Sequence, residues 1–267
     1  MDLSIVIRCS EDERLFRCIE SIDEDVEIVV SISENADFQK KLKEKKIKYC
    51  ISPSGNLSLT SNIGIKNSRF DRVIITDSDT VFEPGCIRLM NEALDEYSVV
   101  RARLLFRTDD RIGSSEVVAS ARDYVNSKEL AFTPGLGIKK DLANSVGGFI
   151  FNDIVPFAVD ADLNNRIRKK GVVVKYLYEA VIEHCAESYH HDLRAARRIG
   201  RGVAISANSL SNFYPDSSVR RLKHELKAVH YNDYIQIIRQ KGPRTFFYQL
   251  MWDLCFYMGR MSGGRSS

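Results

Sequence analysis

The sequence lacks the signatures that several large enzyme classes require. No G-x-G-x-x-G follows its first apolar run and no G-x-x-x-x-G-K-[ST] occurs anywhere, so dinucleotide oxidoreductases and P-loop phosphate sites have little support. The cysteines Cys9, Cys18, Cys50, Cys86, Cys185 and Cys255 are scattered, without a C-x-x-C pair or a zinc spacing. They read as reduced, mostly buried thiols. Long hydrophobic runs are missing too. The most apolar stretch, 246–258, is broken by Gln249 and Asp253; as a helix it measures about 20 Å, short of a hydrocarbon core of roughly 30 Å. With 6 prolines and 15 glycines among 267 residues, collagen-like and low-complexity chains are excluded. There is no internal repeat. An acid, Asp2, stands where a secretory leader would be basic, so a cytoplasmic location is the expectation.

Charge of one sign is also in short supply: the net is only +3, too little to demand nucleic acid as a partner. Its distribution is uneven. Residues 1–180 carry 26 Lys/Arg against 29 Asp/Glu, and 181–267 carry 13 against 7, so the basic character belongs to the C-terminal third. The aromatics there cluster in an apolar tail rather than interleaving with the arginines, as a stacking groove would require, and no nucleic-acid role is expected.

What is present alternates. Short β-branched runs at 3–7, 26–30, 47–51, 72–76 and 99–106 read as buried strands, separated by helical patterns at 13–22, 38–46 and 59–67 and a helix opened by Pro84. This predicts an α/β fold around a mainly parallel sheet flanked by helices. Beyond it, 141–146 and 159–170 read as helices and 172–177 as a strand. Residues 192–239 are helical and basic. At a length near the upper limit for a single core, one large domain, or one domain with an appendage, is expected rather than two equal domains.

Ligands of open α/β sheets bind beyond the carboxyl ends of the strands. There the sequence places Arg8-Cys9-Ser10, Ser31-Ile32-Ser33 and Asp77-Ser78-Asp79. Two carboxylates one residue apart at a strand end are hard oxygen ligands suited to Mg²⁺ or Mn²⁺ with diphosphate oxygens completing the shell; a solvated turn is the plain alternative. Asp160 and Asp162 fall where an apolar stretch becomes a helix. A first-turn carboxylate is favoured in its ionised form and can accept a proton, although N-capping alone would also explain it.

Taken in order, these segments resemble the family 2 glycosyltransferases, inverting enzymes of the GT-A fold. The resemblance runs from Leu3 to about Arg201. It rests on 3–8 with the acidic Glu11-Asp12-Glu13, on 27–30, on 57–65 with its Asn62-Ile63-Gly64, on Asp77-Ser78-Asp79, on Val146-Gly147-Gly148-Phe149, on 160–166 with Gly171, and on His184 with 197–201. It implies a GT-A domain over 1–205, with a nucleotide-sugar half (1–106) and an acceptor half (107–205), followed by a helical, aromatic and basic extension over 206–267.

By residue, the resemblance implies donor binding by Arg8, Ser10, Ser31, Asn62, Asp77 and Ser78. It implies a divalent metal (Mn²⁺ or Mg²⁺) on Asp79 with His184, sugar or acceptor contacts at Gly135 and Asp162, and Asp160 as general base. The partners implied are a nucleotide-diphospho-sugar and a glycan or lipid-linked acceptor. Three positions depart from the family: Ser31-Ile32-Ser33 where an acid often reads the base, Ser61 where Arg is frequent, and Val159 where Glu often precedes the aspartate. They leave the nucleotide open. A sugar nucleotidyltransferase and a non-catalytic nucleotide-sugar binder remain as alternatives. Arg197, Arg198 and Arg201 suit an anionic acceptor or phospholipid, or simply a solvated helix face, while His190-His191 read as solvated surface. The aromatic tail over 244–260, flanked by Lys241, Arg244, Arg260 and Arg265, suits a membrane interface at the inner face, a second subunit, or packing on its own domain.

Overall fold

The computed structural model describes residues 1–108, 114–227 and 229–262. Residues 109–113 and 228, and Arg265 of the C-terminal tail, lie outside them. The chain runs β1 (Leu3–Cys9), α1 (Arg14–Glu20), β2 (Glu27–Ile32), α2 (Ala36–Glu44), β3 (Tyr49–Ile51), α3 (Leu57–Asn67), β4 (Arg72–Asp77), β5 (Thr80–Phe82), α4 (Cys86–Glu96) and β6 (Val99–Arg107). It continues through α5 (Ser115–Asn126), β7 (Leu136–Lys139), α6 (Leu142–Ser145), α7 (Val159–Lys169), β8 (Val174–Cys185), α8 (Tyr189–Phe213), α9 (Val219–Glu225) and α10 (Tyr231–Ser262).

Eight strands form one sheet in the order β3-β2-β1-β4-β7-β6-β8-β5. Its β3-β2-β1-β4 part is parallel throughout, as are β6 and β8. The antiparallel pairings all involve β7 or β5, two short strands that the sequence pattern does not announce. The expected mixed α/β architecture with a helical C-terminal part is the one observed. Side-chain alternation along the strands explains the two-sided core. Leu3, Ile5 and Ile7 pack with Leu15, Phe38, Leu42 and Met90, whereas Val6, Val73 and Ile75 pack with Ile65, Leu136 and Leu163. Each such side chain contributes about 1.5–3 kcal/mol on burial. Asn35 and Asn56 cap α2 and α3 by accepting from Phe38 N (2.8 Å) and Leu59 N (3.0 Å).

Three expectations need correcting. Pro84 does not open α4: Gly85, at φ 77°, is the N-cap, and the helix begins at Cys86. The strand expected at 172–177 extends to Cys185, because its second half pairs with both β6 and β5. The 205/206 boundary falls inside α8, which runs unbroken across it. The C-terminal helices are no loose appendage, since Trp252 and Phe256 of α10 pack on Ala196, Val203 and Ala207 of α8, and Tyr248 packs on Val118 and Ala121 of α5. Burial pushes the Cys18 and Cys86 thiols up to about 12. Among the described residues, no helix is long and apolar enough to cross a membrane.

Candidate active site

The parallel pairing of β1 with β4 sets Arg8 directly beside Asp77 at the carboxyl ends of both strands. The Arg8 guanidinium donates from Nε to Asp77 Oδ1 (2.7 Å) and from Nη2 to Asp77 Oδ2 (2.9 Å), a two-pronged pair. Burial opposes a charge on Arg8, but Asp77, Asp160 and Asp79 together hold its pKa above the ordinary value. Nη2 also donates to Thr133 Oγ1 (2.9 Å), and Thr133 Oγ1 donates to Asp160 Oδ1 (2.9 Å). Thus a buried cation, a hydroxyl and a carboxylate form one chain. Burial pushes the Asp160 carboxyl up to about 6, Asp77 adds to that, and Arg8 and Thr133 restrain it. Asp160 sits in the first turn of α7 but is not its cap; Ala158, at φ 62°, holds that position.

The second aspartate of the triplet has a different neighbour. Pairing of β5 with the end of β8 sets Thr80 opposite His184 and brings the imidazole to Asp79. His184 Nε2 lies 3.2 Å from Asp79 Oδ2, while Nδ1 lies 2.7 Å from the Cys185 carbonyl. A neutral ring must donate from Nδ1 to that carbonyl, so Nε2 turns a lone pair towards the carboxylate. Two acceptors facing each other call for a shared proton or a cation between them. Burial raises the Asp79 pKa, His184 pulls against this, Asp77 adds to it, and Arg14, 3.5 Å away, lowers it. Among the described residues no group of three or more His, Cys, Asp or Glu side chains converges on one metal position. Asp79 and His184 therefore fit a divalent ion only as a two-ligand set whose remaining oxygens come from a bound ligand.

Two hollows meet at Arg8 and Asp77. The first, about 390 Å³, is polar and is lined by Ser10, Asp12, Arg14, Ser33, Asp79 and His184, with His191 and Arg198 also on its wall. The second, about 300 Å³, is lined by Thr133, Asp160, Arg122, Trp252 and Phe256. Its aromatic wall comes from α10: Trp252 and Phe256 stack with centroids 5.6 Å apart, and the Arg122 guanidinium lies 4.6 Å from the Trp252 ring. Buried in the same walls, Trp252 Nε1 and Arg8 Nη1 have no hydrogen-bond partner, an unmet demand that a polar ligand can satisfy.

Of the residues singled out in the sequence, the structure brings Arg8, Ser10, Asp77, Ser78, Asp79, Asp160 and His184 together. Ser78 is buried; its N–H donates to the Arg8 carbonyl (3.0 Å). Ser31 lies buried in β2 abreast of Arg8, and Ser33 reaches the cleft instead. Asn62 donates to the Phe151 carbonyl (2.8 Å) and to Asp153 Oδ1 (2.7 Å), tying α3 to that loop. Gly135 is enclosed in the sheet, where an added Cβ would meet Ile182 at 2.8 Å. Asp162 is fully buried and accepts from Arg166 Nε and Ser206 Oγ, both at 2.8 Å. Arg166 also donates to the carbonyls of Val146 and Phe149, which pins the glycine turn between them. His191, read as plain surface, stands on the rim of the first hollow. The sequence does not single out Thr133 or Arg122, and it presents Trp252 and Phe256 only as part of the aromatic tail over 244–260, not as a wall of this site.

The sheet, the split carboxylates at its strand ends and the helical flank define a GT-A-like α/β protein. No family model matches the chain, and no curated protein does either. Among solved structures it is similar to Staphylococcus aureus TarS, residues 1–349, at 14% identity and a TM-score of 0.53, over 98% of this chain and 91% of that one. The same TarS segment in complex with UDP-GlcNAc matches at 13% identity, a TM-score of 0.53 and equal coverage. A longer TarS structure matches at 12% identity and a TM-score of 0.50, with 98% of this chain and 55% of that chain covered. At these identities the likeness is one of fold.

Proposed function

We propose that the chain is an inverting glycosyltransferase of the family 2 kind, moving a sugar from a nucleotide-diphospho-sugar to an acceptor hydroxyl. The observation that carries this reading is the meeting of the two hollows at Arg8 and Asp77, with the Asp79–His184 pair on one side and Asp160 on the other. TarS residues 1–349, similar in fold, have been solved in complex with UDP-GlcNAc, which supports a nucleotide-sugar as donor.

In this reading the polar hollow takes the nucleotide diphosphate, and Asp79 with His184 would hold Mn²⁺ or Mg²⁺ there. The metal, when bound, supplies charge neutralisation for the departing diphosphate. Asp160 takes the proton of the acceptor hydroxyl as that oxygen bonds to the anomeric carbon and the bond from that carbon to the diphosphate oxygen breaks. A carboxyl near 6 is mostly ionised at neutral pH and still more basic than an ordinary aspartate, which suits a general base. Thr133 donates to Asp160 Oδ1 and so holds the orientation of the carboxylate. The Trp252–Phe256 wall offers a face for a glycan or lipid-linked acceptor and excludes water from the reacting centre.

The test is a thermal-shift screen of UDP-, GDP-, TDP- and CDP-sugars with and without manganese. A ligand that binds only the folded state raises the melting temperature. Stabilisation by one nucleotide class that vanishes in EDTA and in Asp79→Ala is the expected result. A stable protein that responds to none of them would overturn the donor assignment.

A further inference from the structure

Beyond this catalytic reading, the outer face of α10 and the arginine face of α8 carry features that neither hollow uses. The second half of α10 buries Tyr248, Trp252 and Phe256 against the body of the protein. Its opposite face exposes Phe247, Leu250, Met251, Leu254, Met258 and Met261, the least exposed of them at 39%. Single exposed apolar residues are ordinary, but a continuous stripe over four turns, about 21 Å long, is not. No acid interrupts it: between Arg244 and Ser262 the one acidic residue, Asp253, is buried.

At its C-terminal end the stripe runs into a groove of about 630 Å³, lined by Arg194, Arg197, Arg198 and Arg201 together with His191 and Ser262 of α10. The spacing i, i+3, i+4, i+7 puts the four guanidinium groups on one face of α8. Among the described residues none of the four has a carboxylate partner within ion-pair distance, whereas about half of the other described arginines do have one. Concentrated, uncompensated positive charge destabilises the folded protein unless an anion meets it. The two features also form one rigid unit. A Cβ on Gly200 would fall 1.9 Å from the Phe256 carbonyl oxygen, and one on Gly259 would fall 1.9 Å from that of Arg197, so the helices touch backbone to backbone.

We propose that this unit is a docking surface for an anionic lipid bilayer: the α10 stripe enters the interface while the arginine groove takes acidic headgroups. Charge complementarity selects this occupant. A second copy of the chain would bring the same apolar stripe and the same arginines, with no acid on either helix face to answer them. An acidic bilayer supplies apolar depth and negative charge together. Because His191 and Arg198 line both the groove and the first hollow, docking sets the mouth of that hollow at the lipid surface.

The experiment is flotation of the full chain with vesicles of phosphatidylglycerol and phosphatidylcholine in equal parts, against phosphatidylcholine alone, at low and high salt. Binding to the mixed vesicles only, weakened by salt, is expected. The exposed double variants Leu254→Glu/Met258→Glu and Arg194→Gln/Arg201→Gln should each lower partitioning roughly tenfold or more. Their melting temperature and any donor-induced shift should stay as in the parent chain, which separates this proposal from the assignment of the catalytic site. Absence of binding to acidic vesicles at low salt would overturn it, as would undiminished binding of both variants. A parent chain that sediments as a dimer, becomes monomeric on Leu254→Glu/Met258→Glu and ignores vesicles would give the surface to a second copy. Inorganic pyrophosphate that binds the groove in a chain ignoring vesicles would give the groove to a soluble phosphate compound.

Discussion

Arg8 clamps both carboxylate oxygens of Asp77 from the neighbouring parallel strand. The two aspartates of the Asp77-Ser78-Asp79 triplet are thereby separated in duty. Asp77 is neutralised by a buried guanidinium, while Asp79 faces the His184 Nε2 across 3.2 Å. Residues that look equivalent in sequence present different electrostatic surroundings: Asp77 is clamped by one buried guanidinium, whereas Asp79 is answered only by the more distant Arg14 and by an imidazole.

Asp160→Asn tests the proposed base. Transfer should fall by about 10²- to 10⁴-fold while any donor-induced thermal shift persists. In the parent chain the rate should rise with pH through about 6 and then level. The stability effect has the opposite sense. The folded pKa lies above the ordinary 3.8, so the stability gained from holding the protonated carboxyl is complete at acid pH and lost as pH rises through about 6. Asparagine removes that loss, so the variant should be the more stable protein at pH 8 by about 2–3 kcal/mol, and little changed near pH 4. Melting curves at the two pH values check it.

Thr133→Val separates positioning from proton transfer. The hydroxyl both accepts from Arg8 and lowers the Asp160 pKa by donating to it. Without it the carboxyl should move higher, carrying the acid limb of the pH–rate profile to higher pH, and stability should fall by about 1–3 kcal/mol. A profile that keeps its inflection would deny Thr133 this role.

Asp162→Ala should behave as a core lesion. It leaves Arg166, 2% exposed, without its carboxylate, a loss of about 3–5 kcal/mol read from the urea midpoint. Donor binding per folded molecule should be unchanged. A normal midpoint with lost transfer would instead return Asp162 to the acceptor side.

Gly259→Val probes the contact between α8 and α10. The new side chain has no room against the Arg197 carbonyl and should cost about 1–3 kcal/mol or more. Trp252 is the sole tryptophan, so a red shift of its emission would report the second hollow opening as α10 lifts.

Legibility in the sequence follows the length and uniformity of each element. β1 and β4 stand out because their β-branched runs are buried on both faces, and their paired ends set Arg8 beside Asp77. β5 and β7 are three and four residues long, too short for a period to register, yet β5 is what carries His184 to Asp79. α5 hides its apolar face among Ser, Arg and Asp. The pairing of Asp160 with Asp162 misled for a reason the sequence already contained. Two residues of helix turn about 200°, so the carboxylates point to opposite sides, and Arg166 sits at i+4 from Asp162 as a ready partner. Thr133 and Trp252 acquire their roles only from tertiary proximity to residues far away in the chain.

The side chains around the two hollows stand at positions 8, 77, 79, 133, 160, 184 and 252, so each layer of the molecule contributes at least one. Synthesis of the first hundred residues supplies Arg8 and both triplet aspartates, but neither His184 nor Asp160 nor the aromatic wall. A chain that stops before α10 holds the strand-end carboxylates but lacks the Trp252–Phe256 wall of the second hollow. The second hollow is thus closed by the last described helix of the chain, and on dilution from denaturant the native Trp252 emission should return as that hollow forms.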